Sequence, residues 1–93
     1  MIQSFADAET ALIWDGRRSR RLPTDIQATA LRKLRLLNQA KTLSDLTAPP
    51  GNRLEPLKGD LMGRYSIRIN DQWRICFTWL EGGPANVQIL DYH

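Results

Sequence analysis

Histidine and cysteine are almost missing from this chain: each occurs once in 93 residues, as His93 and Cys76. One of each cannot complete a zinc site of the usual kind, so no metal and no other cofactor is expected. A small secreted domain normally carries several paired cysteines, and a lone thiol points to a reducing compartment instead. No apolar run approaches the ~20 residues of a membrane span. The opening MIQSFADAET has neither the basic start nor the apolar stretch of a secretory signal. A cytoplasmic protein with no membrane partner is therefore expected. Also absent are the G-x-S-x-G of a serine hydrolase and any Gly-rich phosphate loop.

What is present suits one small globular unit. A length of 93 residues supports one domain and not two, so residues 1–93 are read as a single domain. The formal charge of +3 is a weak pointer to a polyanion, but its distribution says more. Arg17, Arg18, Arg20 and Arg21 crowd into GRRSRRLP, and Arg32, Lys33 and Arg35 follow in the next segment. Either run alone reads as a solvated face. Together with arginines on the strands described next, they favour a polyanion as partner.

The period of the apolar residues changes half-way along the chain. MIQSF alternates and reads as an edge or opening strand. DAETALIWDG reads as a short helix with Asp7 as N-cap and Gly16 as stop, and the Arg-rich stretch to Pro23 as a linker. In TDIQATALRKLRLLNQA, the residues Ile26, Ala30, Leu34 and Leu37 form a helical stripe, widened by Leu31 and Ala40. Thr24 and Gln27 are spaced as a capping box, and Arg32, Lys33 and Arg35 face away from the stripe. From RYSIRIN onward the period is two. Tyr65, Ile67 and Ile69 alternate with Arg64, Ser66 and Arg68; Trp73, Ile75, Phe77 and Trp79 alternate with Arg74, Cys76 and Thr78. Asn70-Asp71 signals a tight hairpin, EGGP the next turn, and NVQILDYH a last strand. The predicted fold is α+β: N-terminal helices packed on one face of a small antiparallel sheet, the other face polar. The three tryptophans and Cys76 are expected in structural roles.

Arg68 and Arg74 fall on neighbouring strands of the polar face, where like charges repel. NRLEPLKGD adds Arg53, Glu55 and Lys58; alone, it reads as a charged edge strand and turn. Lys58, Arg68 and Arg74 can grip a phosphate through charge-assisted hydrogen bonds. Glu55, Asp91, Tyr92 and His93 can pass or position protons. This inventory fits phosphodiester cleavage without a metal, in which one group takes the ribose 2′-hydroxyl proton, a cation steadies the charged phosphorane and another group protonates the leaving oxygen.

MIQSF, NRLEPLKGD, SIRINDQWRICFTW and the terminal DYH together resemble the HigB/GraT toxins of the RelE superfamily, over essentially the whole chain. The resemblance implies the RelE-like microbial RNase fold and a type II toxin that cuts mRNA on the ribosome by 2′-hydroxyl attack, without a metal. It implies a cognate helix-turn-helix antitoxin of the HigA or GraA kind, with operator DNA reached only through that antitoxin. Carried over by position, it implies catalytic roles for Lys58, Arg74, Asp91, Tyr92 and His93; Arg68 is added from the strand alternation, with Arg53 and the two basic runs as RNA contacts. Some members have a histidine immediately before PLKGD, in the neighbourhood where this chain has Glu55, and a carboxylate among cations is a weak base. That departure sustains an alternative, a basic domain that inhibits translation or ribosome assembly by docking on ribosomal RNA. On the catalytic reading, His93 closes the chain because the last strand delivers Asp91, Tyr92 and His93 to the rim that holds Arg74 and Lys58.

Overall fold

The change of period marks the boundary between the two layers of the fold. The computed structural model describes residues 1–59 and 63–91. Helix α1 covers Ala8–Trp14 and helix α2 covers Thr24–Gln39, followed by 3-10 turns at Leu43–Thr47 and Pro50–Asn52. Four strands, β1 (Glu55–Pro56), β2 (Arg64–Arg68), β3 (Trp73–Leu80) and β4 (Gly83–Asp91), then form an antiparallel sheet in the order β1-β2-β3-β4. Both helices cover one face, as the α+β pattern anticipates.

Helix α1 begins where Asp7, in an extended conformation, accepts the Thr10 N–H at 2.7 Å. It stops at Gly16, whose φ of 78° suits glycine. The Gly16 and Arg17 amides return to the carbonyls of Ile13 and Leu12, each at 2.9 Å, completing a Schellman closure. The stripe on α2 is the core: Ile26, Ala30, Leu34 and Leu37 are buried against Ile67, Ile75, Phe77, Val87 and Ile89. Each Ile, Leu, Val or Phe side chain among them contributes about 1.5–3 kcal/mol through removal from water. Trp14, Trp73 and Trp79 pack on the rim of this core.

Several local expectations are corrected. Thr24 and Gln27 form no capping box, because Pro23 is the N-cap of α2 and offers no side-chain bond. Gln27 instead reaches back to the Arg-rich segment, accepting from Ser19 N at 3.1 Å and donating to the carbonyls of Ser19 and Leu22 at 2.8 and 3.0 Å. A capping box forms instead at Thr42 with Asp45, ahead of the helix-breaking Pro49-Pro50. MIQSF is not a regular strand; it lies along β4 with one parallel bridge, Phe5 to Val87, and covers that edge of the sheet. The β2–β3 turn runs over residues 69–72 rather than two residues, because Asn70 Oδ1 accepts both the Gln72 and Trp73 amides at 2.9 and 2.7 Å. The last strand starts earlier than NVQ, at Gly83, and bulges at Asn86, whose φ is 52°.

The polar sheet face is also drier than its pattern implies. Ser66 and Cys76 are fully buried there and Arg74 is only 7% exposed. Arginine stems lie over this face: the charges of Arg64 and Arg74 both act on the Cys76 thiol. Burial nevertheless pushes that thiol up, which makes Cys76 an unreactive structural residue.

Candidate RNA-cleavage site

Of the site residues expected from the sequence, Arg68 lies on β2 and Arg74 on β3. Arg68 and Arg74 are paired across the ladder, as the alternation requires. Arg74 is pinned in place: its Nε donates to Ser66 Oγ at 2.8 Å, and its Nη2 donates to the Arg53 carbonyl at 2.5 Å. The Glu55 carboxylate, on β1 opposite Ser66, lies 4.0 Å from the same Nη2. Arg68 is more open and donates to Asp71 at 2.5 Å. That hydrogen bond, then the charge of Arg68 itself, holds the Asp71 carboxyl below its usual range, with Arg53 adding to the effect.

The loop before β1 is built from buried polar groups. Asn52 is fully buried. Its Nδ2 donates to the carbonyls of Leu46 and Ala48 at 3.2 and 3.1 Å, and its Oδ1 accepts from Lys33 Nζ. Arg53 follows in the left-handed region, φ 45° and ψ 57°, with its amide on the Pro50 carbonyl at 3.2 Å. This bend aims the Arg53 carbonyl at Arg74.

Arg53, Glu55, Arg68 and Arg74 are therefore brought together, and Lys58 is exposed just past β1. Lys33 is not on an open basic face with Arg32 and Arg35. It is 9% exposed and points inward to Asn52, whose buried amide oxygen accepts from its Nζ. Its amine is pushed below 10.5 by burial first, then by the charges of Arg32 and Arg68. Asp91 ends β4 opposite Trp73, and its carboxylate accepts from Gln72 Nε2 at 3.0 Å. The register partner of Arg74 on β4 is Leu90, so the strand pleat places Asp91 on the Trp73 side rather than the Arg74 side. Tyr92 and His93 lie outside the described residues. Among the described residues no three His, Cys, Asp or Glu side chains gather to hold a metal ion, and no helix is long and apolar enough to cross a membrane.

The Arg-rich segment is ordered rather than a loose linker. Ser19 is 2% exposed; its hydroxyl donates to Glu9 at 2.5 Å and accepts the amides of Arg21 and Leu22 at 3.1 and 3.3 Å. Arg17, Arg18, Arg20 and Arg21 all stay exposed around this anchor, as do Arg32 and Arg35 on α2.

Residues 3–93 match the family model of the HigB-like toxin, a RelE-like toxin of type II toxin–antitoxin systems. The chain belongs to this family. It is 46% identical over 79 residues to Toxin HigB-1 of Vibrio cholerae, covering 85% of this chain and 82% of the relative. It is 28% identical over 93 residues, the whole of both chains, to Endoribonuclease HigB of Proteus vulgaris. An uncharacterized protein of Haemophilus influenzae is 33% identical over 73 residues, 78% of this chain and 71% of the relative. As a HigB-like toxin of a type II system, the protein has an antitoxin as its partner.

Two buried polar anchors escaped the sequence reading. Asn52 sits in PPGN and looks like turn chemistry; Ser19 sits among arginines and looks like linker. The faint signal for each was a small polar residue directly beside a charge run, where a solvated loop needs no such anchor.

Proposed function

We propose that this HigB-like toxin is a ribosome-dependent endoribonuclease that cuts mRNA without a metal and so arrests translation and growth in the cytoplasm. The supporting observation is the Arg74 guanidinium, fixed by Ser66 and the Arg53 carbonyl beside Arg68 and Glu55. A cation held rigidly in a largely buried setting stabilises charge on a phosphorane without reorganising during the reaction. Arg68, Arg53 and Lys58 grip the flanking phosphates, and Arg17, Arg18, Arg20, Arg21, Arg32 and Arg35 add longer-range attraction to ribosomal RNA. The name of the Proteus relative supports the cleavage class.

In the proposed step the ribose 2′-oxygen bonds to the adjacent phosphorus as its proton passes to a base. The bond from phosphorus to the 5′-oxygen breaks, and that oxygen takes a proton. The products are a 2′,3′-cyclic phosphate and a 5′-hydroxyl. His93 and Glu55 are the candidates for the proton transfers, with Tyr92 and Asp91 orienting the imidazole and the base. The partner that silences the toxin is a helix-turn-helix antitoxin, which carries the complex to operator DNA.

The test maps fragment ends from mRNA, free and ribosome-loaded, in the magnesium buffer that keeps ribosomes assembled. Cyclic phosphate and 5′-hydroxyl ends appearing only on ribosomes support the proposal. Ends carrying 3′-hydroxyl and 5′-phosphate, or cleavage equal on free mRNA, contradict it.

A further inference from the structure

Lys33 is the one cation of the basic runs that turns inward. Its ammonium can only donate, so Asn52 must present Oδ1 to it and Nδ2 to the carbonyls of Leu46 and Ala48. The amide is thereby locked in one orientation at a position with no exposure. The next residue is Arg53, bent into the left-handed region, and its carbonyl receives Arg74 Nη2. A continuous chain of contacts thus runs from the middle of α2, through Asn52 and the Arg53 bend, to the guanidinium on β3.

We infer that Lys33 is a positioning residue: through Asn52 it sets the Arg53 bend and so fixes where Arg74 presents its charge to the scissile phosphate. Lys33 does not itself touch RNA in this arrangement, because its Nζ is buried and turned inward to the Asn52 amide. The helix layer therefore contributes to the chemistry at the sheet. Arg32, one residue away and exposed, supplies the control, since it carries the same charge at the same height of α2 without reaching Asn52.

The kinetic arm of the test rests on the endonuclease reading; the spectroscopic arm does not. In the wild-type chain, the ammonium protons of Lys33 should exchange with water far more slowly than those of exposed Lys41 and Lys58 in nitrogen-detected NMR. Exchange at the same rate overturns the inference without any variant. The Arg74 Nε–H resonance should move in Lys33→Met and in Asn52→Asp, which keeps an acceptor for Lys33 but loses both amide donors. It should stay in place in Arg32→Gln. An unmoved Arg74 signal in either of the first two folded variants overturns the inference.

With ribosome-bound mRNA, Lys33→Met should lower the single-turnover rate at saturating ribosomes by about tenfold while the half-saturating concentration changes less than about twofold. Arg32→Gln should do the reverse. A Lys33→Met variant that cuts at the wild-type rate but saturates later marks Lys33 as an RNA contact and overturns the positioning role. Should the wild type fail to cut at all, the endonuclease reading falls while the exchange and Arg74 measurements still decide the role of Lys33.

Discussion

Arg68 and Arg74 stand opposite one another across the β2–β3 ladder, and the two like charges are answered in different ways. Arg68 leans to exposed Asp71 in the turn; Arg74 turns inward to Ser66 and the Arg53 carbonyl. The repulsion that such a pair imposes is thus met by an acid on one side and by backbone and hydroxyl acceptors on the other. One arginine is held by an exposed acid, the other by the sheet and by the loop before β1.

The difference is measurable in stability. Arg74→Ala strips a partner from buried Ser66 and from the Arg53 carbonyl, and should lower unfolding free energy by about 2–3 kcal/mol. Arg68→Ala breaks an exposed, salt-screened pair and should leave the urea midpoint nearly unchanged. Equal effects of the two substitutions would contradict the division of roles.

Lys33 gives a pH signature. Burial and the neighbouring Arg32 and Arg68 lower its folded value below 10.5, so between the folded value and 10.5 the unfolded chain binds more protons. Stability contributed at this position should therefore rise with pH in that window and be flat below it. The wild type, compared with Lys33→Met by denaturant unfolding, should gain relative stability as pH climbs from neutral toward 10.5. A difference that shrinks on going alkaline would contradict a lowered value.

Ser19→Ala should cost about 1–3 kcal/mol, since it removes a buried hydroxyl that serves Glu9 and two backbone amides. Hydrogen exchange over residues 17–22 should accelerate more than that of α2. Unchanged exchange would mean that the arginines are held by something other than Ser19.

Gly83 has a φ of 127°, and a Cβ there would meet the Met1 carbonyl oxygen at 2.3 Å. Gly83→Ala should destabilise by about 2–3 kcal/mol, by strain and by displacing the N-terminal segment from β4. Thermal unfolding of this variant against Gly16→Ala, where a Cβ meets nothing within 4 Å, separates the clash from the dihedral strain.

The elements that follow a clean period were legible in the sequence. The α2 stripe, the alternation of β2 and β3, the Asp7 cap and the facing of Arg68 with Arg74 all follow from spacing, because one side of each element has to be dry. The features that were not legible depend on partners distant in sequence. Gln27 has the spacing of a cap residue, but Ser19 lies eight residues away and competes for it successfully. Lys33 reads as solvated charge until Asn52, nineteen residues on, supplies a buried acceptor. Asp91 was grouped with Arg74 by its place in DYH, yet strand register assigns it to Trp73. Periodicity reports which side of an element is buried; it carries no information about which polar group waits there.

Ribosome-dependent RNA cleavage by this protein, with proton transfer through His93, is proposed above. The most direct test compares the wild type with a chain lacking only His93 on ribosome-loaded mRNA, mapping both fragment ends and following growth on induction. Cleavage and growth arrest are expected with the wild type, and loss of both without His93 while the urea midpoint is unchanged. Growth arrest by both chains with no cleavage by either would contradict the nuclease and leave a protein that inhibits by docking on ribosomal RNA.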